Sequence, residues 1–229
     1  MRKIRLVYLA IFLFCIGWSG NGEGRSPLDV VRGTSRPVLP AAAIERERVI
    51  VAFGDSLTAG FGVAADEAYP ALLEKKLRGA GYRYRVINAG VSGDTTAGGL
   101  RRVDWILRNR PDLIILELGA NDGLRGLDIG LAEKNLAKII ERLQKEGVKV
   151  VLAGMKMPPN YGKAYTDAFE QIYPNLAARY RIPLIPFFLE GVAARSFLNQ
   201  ADGIHPTAEG YRIIVDHFWP ILEGLLKKE

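Results

Sequence analysis

The sequence predicts an α/β domain, a flavodoxin-like three-layer α/β/α sandwich around a five-stranded parallel sheet in the order 2-1-3-4-5. Five short runs of aliphatic and β-branched residues recur along the chain, and each is followed by a stretch that includes helical spacing of apolar residues. Continuous apolar runs are typical of parallel strands that are covered on both faces. The alternation of strand and helix therefore favours right-handed β-α-β units with helices on both sides of one sheet.

The elements follow from these patterns in chain order. The predicted strands are Val49–Phe53, Tyr84–Asn88, Leu113–Leu118, Val148–Ala153 and Leu184–Phe188. The predicted helices are Tyr69–Arg78, Thr96–Arg108, Gly130–Glu146, Ala164–Arg179 and a last one that begins near Thr207. Pro186 has no N–H to donate, so the fifth strand is expected at an edge of the sheet. In the third helical stretch, Gly130–Glu146, apolar residues recur at steps of three and four with charged residues between them.

The first 21 residues are typical of a secretory signal peptide. Arg2, Lys3 and Arg5 precede a short apolar run, and small residues follow it. A permanent membrane anchor is the alternative, but the run is shorter than the ~20 residues that a spanning helix needs. We therefore expect an exported protein, periplasmic or secreted, with no stable membrane span once the signal peptide is removed.

Residues 22–46 are rich in glycine, proline and serine and have no apolar period, which predicts a flexible linker before a folded domain at 47–229. The formal net charge is +6, and three of the basic residues lie in the predicted signal peptide. The remaining excess of positive charge does not indicate a nucleic-acid partner. Cys15 is the single cysteine, so the mature domain would have no disulfide and no cysteine nucleophile.

Small polar residues follow four of the predicted strands. In an open α/β sheet, ligands bind beyond the carboxyl ends of the strands, where the strand order reverses. These loops supply a hydroxyl, an imidazole, carboxylates and neutral donors, which together suit acyl transfer. The four segments are Gly54-Asp55-Ser56-Leu57-Thr58, Ser92-Gly93-Asp94-Thr95, Gly119-Ala120-Asn121-Asp122 and Asp202-Gly203-Ile204-His205-Pro206.

Ser56 is the candidate nucleophile and His205 the candidate base. Ser56 lies at a predicted strand-to-helix turn, where an ordinary helix cap is the alternative interpretation. Asp202 precedes His205 by three residues, a spacing at which the carboxylate can reach the imidazole Nδ1, although Asp202 could simply close a turn. His217 lies in the last predicted helix and is interpreted as a packing or surface histidine.

Gly93 and Asn121 are candidate donors to an oxyanion. A backbone N–H and a side-chain amide are neutral groups that stabilise a developing negative charge on oxygen. The alternatives are turn formation at Asn121 and a positive φ angle at Gly93.

These four segments, in this order, resemble the blocks of the SGNH, or GDSL-type, hydrolases. The resemblance extends from about Val49 to Leu225 and is strongest to the bacterial thioesterase I/protease I/lysophospholipase and arylesterase members. It implies the flavodoxin-like fold, an exported location and a serine esterase or thioesterase activity. It also implies an acyl-enzyme on Ser56, a triad completed by His205 and Asp202, and an oxyanion hole from Ser56, Gly93 and Asn121.

The resemblance implies neither a metal nor an organic cofactor. The expected substrate is a small acyl ester or thioester, with a lysophospholipid as one candidate, and the protein is expected to be a monomer. We predict that Leu124, Arg125, Met157 and Tyr161 contribute to substrate binding, together with Met155, because they lie in two loops that follow the third and fourth strands.

Two other functions stay open on the sequence. A carbohydrate O-deacetylase would use the same triad on acetylated sugars. A non-catalytic flavodoxin-like module could bind a nucleotide or flavin at the same edge, but the loop after the first strand lacks both the dinucleotide glycine spacing and a P-loop.

Overall fold

The computed structural model describes residues 46–228. The predicted signal peptide at 1–21 and all but the last residue of the predicted linker at 22–46 lie outside the described residues. Within the described part, no helix combines the length and apolar character that a membrane crossing requires.

The sheet has five parallel strands in the order β2-β1-β3-β4-β5, which confirms the predicted architecture. The strands are β1 Arg48–Gly54, β2 Tyr84–Gly90, β3 Leu113–Glu117, β4 Lys149–Ala153 and β5 Leu184–Ile185. The central strand β1 pairs with β2 on one side and β3 on the other, so the strand order reverses beside it. The ends of β1 and β3 therefore open a crevice at the carboxyl edge of the sheet.

Seven α-helices complete the described domain, and two short 3₁₀ turns lie at Pro159–Tyr161 and Ser196–Leu198. The helices are α1 Ser56–Ala59, α2 Tyr69–Gly79, α3 Thr96–Leu107, α4 Ala120–Leu124, α5 Ile129–Lys145, α6 Lys163–Tyr180 and α7 Ala208–Glu223. Helices α3, α5 and α6 form one group, in which α5 packs against both α3 and α6. Helices α2 and α7 pack against each other in a second group. Sequence analysis found the five long helices but missed the two one-turn helices α1 and α4.

Helix α5 shows how the sequence builds these layers. The apolar residues that recur at helical spacing, among them Leu136, Ile140 and Leu143, are all buried against the sheet and neighbouring helices. Asp128 accepts a hydrogen bond from the Leu131 N–H and so caps the helix start. Burial of this apolar stripe, rather than helix propensity, holds the helix in place.

The fifth strand lies at an edge, as predicted, but it is shorter than the predicted Leu184–Phe188. Pairing with β4 ends at Ile185, and Pro186, which has no N–H, follows directly at the open edge of the sheet. The chain then turns over the end of β4, where the Gly154 N–H donates to the Ile185 carbonyl over 2.8 Å and the Phe188 N–H donates back to Gly154.

Candidate active site

The turn after β1 presents Ser56 at the start of α1. Asp55 caps this helix, with its Oδ1 atom accepting from the Leu57 N–H over 3.0 Å. The cap is therefore supplied by Asp55, which leaves the Ser56 hydroxyl available for chemistry. Gly54 is required beneath the turn, since a Cβ atom there would lie 2.0 Å from the Thr58 Oγ1 atom.

Ser56, His205 and Asp202 form a hydrogen-bonded chain. The Ser56 Oγ atom lies 2.8 Å from His205 Nε2, and His205 Nδ1 lies 2.7 Å from Asp202 Oδ2. A carboxylate only accepts hydrogen bonds, so neutral His205 carries its proton on Nδ1 and presents the free electron pair of Nε2 to the serine. This is the arrangement that general-base activation of a serine needs.

Asp202 also closes the turn that carries His205. Its Oδ1 atom accepts from the N–H groups of Ile204 and His205 at 2.9 and 3.0 Å. These backbone bonds, first that of His205, and the contact with the His205 ring lower the pKa of Asp202 to about 2. The two interpretations of Asp202, a turn former and a partner of the imidazole, therefore describe two oxygens of one carboxylate.

Gln200 fastens the His205 loop to the segment that follows α1. Its Nε2 atom donates to the carbonyls of Phe61 and Pro206 at 2.7 and 3.0 Å, and its N–H donates to the His205 carbonyl. The Phe61 ring also packs on the imidazole, with ring centroids 4.6 Å apart. Sequence analysis missed both residues, because nothing local in the sequence links positions 61 and 200.

Asn121 is held at both ends of its side-chain amide. The Nδ2 atom donates one proton to Asp55 Oδ2 over 3.0 Å, and the Arg125 guanidinium lies 3.5 Å from Oδ1. The second Nδ2 proton stays available for another acceptor. Asn121 thus lies beside the residue that precedes Ser56, in the first turn of α4.

Gly93 lies in the loop after β2 with a φ angle of 79°. Its carbonyl accepts from the Arg125 guanidinium over 2.9 Å, and no described residue accepts from its N–H. Arg125 therefore connects the two predicted oxyanion donors, Gly93 and Asn121.

A pair of buried carboxyl groups lies beneath the Ser56 turn. Glu117, the last residue of β3, has 0% exposure and Asp55 has 1%. The Glu117 Oε2 atom accepts from the Thr58 hydroxyl over 2.8 Å and lies 3.4 Å from the Asp55 N–H. This pair was not predicted, because Glu117 lies within the apolar run that predicts β3.

Burial raises the pKa of Asp55 to about 6 and raises the pKa of Glu117 well above its ordinary value, with the neighbouring Asp55 charge as the next cause for Glu117. Two adjacent buried carboxylates cannot both ionise readily. Of the two acids, Glu117 therefore has the stronger tendency to retain its proton, and Asp55 is the acceptor for the Asn121 amide.

Arg102, on α3, ties the ends of β1 and β2 to the Gly93 loop. Its guanidinium donates to the Gly54 carbonyl at 2.8 Å, to the Ala89 carbonyl at 2.7 Å and to Asp94 Oδ2 at 2.7 Å. This side chain is another contributor that sequence analysis did not find, since Arg102 looks like any charged residue on a helix.

An apolar cavity of about 610 Å³ opens beside Ser56 and His205. Leu124, Met155 and Met157, all predicted to contribute to substrate binding, line it together with residues of the β5 and His205 loops. Tyr161 and Arg125, also predicted to contribute to substrate binding, are not among its lining residues. The Tyr161 hydroxyl donates to the Leu124 carbonyl over 2.9 Å, and Arg125 donates to Gly93.

Residues 52–213 match the model of the GDSL-like Lipase/Acylhydrolase family. The chain belongs to this family. It is thus an SGNH serine hydrolase of ester or thioester bonds, which confirms the family resemblance seen in the sequence. Among the described residues, no group of His, Cys, Asp and Glu side chains is arranged to hold a metal ion.

Several relatives in the family are similar along most of the chain. Esterase TesA of Pseudomonas aeruginosa is 43% identical over 78% of this chain and 90% of its own length. An arylesterase of Vibrio mimicus is 43% identical over 75% of this chain and 86% of its own. The thioesterase 1/protease 1/lysophospholipase L1 of Escherichia coli K12 is 37% identical over 79% of this chain and 86% of its own.

Solved structures agree with the fold. The crystal structure of TesA superposes with a TM-score of 0.76 at 43% identity, and it covers 78% of this chain and 100% of the other. The SGNH-hydrolase family esterase AlinE4 gives a TM-score of 0.67 at 48% identity, over 81% of this chain and 100% of the other.

Proposed function

We propose that this chain hydrolyses small acyl esters and thioesters through an acyl-enzyme on Ser56, with His205 as proton carrier and Asp202 as its orienting group. The observation that carries the proposal is the continuous chain from Ser56 Oγ through the imidazole to Asp202 Oδ2, with links of 2.8 and 2.7 Å. Each atom in it has the donor or acceptor character that its role requires.

In the acylation step, His205 Nε2 takes the Ser56 proton as Oγ bonds to the acyl carbonyl carbon. The carbonyl electron pair moves onto oxygen and forms a tetrahedral oxyanion. The imidazolium then returns the proton to the leaving oxygen or sulfur as the bond to the acyl carbon breaks. In the second step, water gives its proton to His205 and adds to the acyl-enzyme, and the acid leaves as Ser56 regains its proton.

The oxyanion would accept from the N–H groups of Ser56 and Gly93 and from the free Nδ2 proton of Asn121. The Asn121 amide is already oriented by Asp55 and Arg125 before substrate arrives. Donors fixed in advance need no reorganisation when the charge develops, which is why they favour the transition state.

The cavity supports an apolar acyl group. Its volume of about 610 Å³ and its wall of Leu124, Met155 and Met157 suit an aliphatic chain, and flexible methionine side chains accept more than one chain length. A lysophospholipid has one such acyl ester, and we include it among the candidate substrates. We also propose that the chain is exported through residues 1–21 and acts as a monomer.

The test is a series of p-nitrophenyl esters with increasing acyl length, a small-thiol thioester series, a lysophosphatidylcholine and an acetylated sugar. We expect turnover of the parent chain, and losses of about 10⁴-fold or more in kcat for Ser56→Ala and His205→Ala. His217→Ala is the matched control, because this other histidine is exposed on α7, and it should keep full activity.

An organophosphonate should label Ser56 in the parent chain and not in Ser56→Ala, as read by peptide mass spectrometry. Full activity of Ser56→Ala, or a parent chain inactive on every ester and thioester, would contradict the proposed function. A preference for the acetylated sugar over all other esters would instead support the alternative function, a carbohydrate O-deacetylase.

A further inference from the structure

Phe61 is an apolar side chain beside the proposed catalytic groups that the mechanism has not used. It is 50% exposed, although an exposed aromatic ring costs solvation free energy. Its N–H donates to the Ser56 carbonyl over 3.1 Å, and its carbonyl accepts from Gln200. The backbone of Phe61 is thus fixed on the Ser56 turn, and its ring contacts His205 with a centroid distance of 4.6 Å.

Phe61 lies outside the cavity that would take the acyl group. The cavity wall includes Gly203, Ile204 and His205, but Phe61 does not line it. The imidazole therefore has the cavity next to it and the half-exposed Phe61 ring as a second neighbour. The cavity and the Phe61 ring are therefore two separate apolar surfaces next to Ser56 and His205, where the acyl carbonyl carbon of a substrate would react.

The proton transfer from His205 to the leaving group determines which part of the substrate reaches the Phe61 ring. The leaving oxygen or sulfur must come within hydrogen-bond reach of His205 Nε2, about 3 Å, to receive its proton. The acyl chain and the leaving group point in different directions from the tetrahedral carbon. Phe61 is an exposed apolar surface that contacts the imidazole outside the cavity, so a substituent on the leaving atom that follows the imidazole away from the cavity would reach its ring.

We propose that Phe61 forms a leaving-group subsite that binds aromatic and other apolar alcohols and thiols, so that aryl esters are favoured over esters of small alkyl alcohols. The subsite rests on the proposed function, because it requires acyl transfer at Ser56 with proton return from His205. An aromatic leaving group would pack on the exposed part of the Phe61 ring in an offset or edge-to-face arrangement.

The test compares Phe61→Ala with the parent chain on phenyl butyrate and methyl butyrate. Because the acyl group is the same, both esters give the same acyl-enzyme and share its hydrolysis, so kcat/KM, which reports acylation, is the quantity to compare. We expect the ratio of kcat/KM for phenyl butyrate to kcat/KM for methyl butyrate to fall about 5- to 20-fold, the order of magnitude of one lost aromatic contact, because any loss of support for His205 affects both esters alike. The backbone tie from Gln200 to residue 61 survives this substitution.

Phe197→Ala is the matched control, since Phe197 is 73% exposed and neither lines the cavity nor makes a ring contact with His205. It should leave the ratio of the two kcat/KM values unchanged. Phe61→Leu should restore part of the phenyl butyrate activity, because leucine provides apolar area without a π face.

Three outcomes would overturn the subsite. An equal loss on both esters would mean that Phe61 positions His205. A loss that grows with acyl length would place Phe61 in the acyl site, and no loss on phenyl butyrate would show that its ring contacts no substrate group. In each case, inactivity of Ser56→Ala still supports the proposed function, so the two failures are distinguishable.

Discussion

Asp202 and Asp55 are two carboxylates near Ser56 whose pKa values the fold shifts in opposite directions. Asp202 is partly exposed in a loop, and backbone N–H groups and His205 lower its pKa to about 2. Asp55 is buried next to Glu117, and desolvation raises its pKa to about 6. Hydrogen bonds to the charged form outweigh burial at Asp202, whereas burial outweighs them at Asp55.

The difference assigns the two acids to different tasks. Asp202 is negatively charged at any pH at which His205 can act as a base, so it can stabilise the imidazolium that forms in the reaction. Asp55 joins local structures instead, because it caps α1 and holds Asn121, and it does so beside a buried acid whose pKa is raised. Asp202 should therefore matter mainly for rate, and Asp55 for both rate and stability.

Between the two aspartates, the larger expected effect on rate is that of Asp202→Asn. An amide at this position can donate to Nδ1 and favour the wrong tautomer of His205, so kcat should fall by about 10²- to 10⁴-fold. The midpoint of thermal unfolding, Tm, should change by only a few degrees, because the side chain is partly exposed. Steady-state kinetics on p-nitrophenyl butyrate and a thermal melt measure the two quantities.

Asp66→Asn, an exposed loop residue, is the control for Asp202→Asn and should retain the parent kcat. A loss of less than about 10-fold in Asp202→Asn would remove this carboxylate from the proposed triad.

Asp55→Ala should have a smaller effect on rate and a larger effect on stability. Loss of the anchor for Asn121 should lower kcat by at most the ~10²–10³-fold that removal of one oxyanion donor costs. Loss of the α1 cap and of a buried acceptor should lower the free energy of unfolding by about 2–4 kcal/mol. Urea unfolding and kinetics on the same preparation give both values.

Asn121→Ala separates the two contributions of Asp55, because it removes the oxyanion donor and leaves the α1 cap in place. We expect a similar loss of kcat with a smaller loss of stability. If Asp55→Ala unfolds at the same urea concentration as the parent, the contrast between the two carboxylates is wrong.

The smallest effect is the pH dependence of stability in Glu117→Gln. Folded Glu117 keeps its proton above the pKa near 4.5 that it has when unfolded, so unfolding releases a proton and stability falls as pH rises. The slope from this one group is at most about 1.4 kcal/mol per pH unit. Glutamine does not titrate, so the stability of Glu117→Gln relative to the parent should increase from about pH 5 to pH 7.

Urea unfolding of the two proteins at several pH values measures this slope, and Glu190→Gln, at an exposed position, controls for the loss of an ordinary acid. Asp202 does not interfere, because its contribution is present above its unfolded pKa and is lost only as pH falls toward about 2. Parallel stability curves for Glu117→Gln and the parent would show that Glu117 is ionised in the folded protein.

The sequence by itself determined the features that depend on short stretches of chain. Apolar runs and helical spacing predicted the sheet order, and strand ends located the polar segments, because a parallel sheet brings its carboxyl ends to one edge. The spacing of Asp202 and His205 allowed their contact, because three residues in a turn bring the carboxylate within reach of the imidazole, and the family resemblance favoured this contact over a simple turn. The roles of Ser56, His205 and Asp202 remain predictions that the geometry supports.

Only the tertiary structure decided which residues that are distant in sequence contact each other and how far each side chain is exposed to solvent. Asp55 and Asn121 are 66 positions apart, and Ser56 and His205 are 149 apart. The raised pKa of Glu117 and the contact of Phe61 with His205 depend on packing between different elements. A pKa depends on desolvation and on neighbouring charges, and these are properties of the folded arrangement rather than of any stretch of sequence.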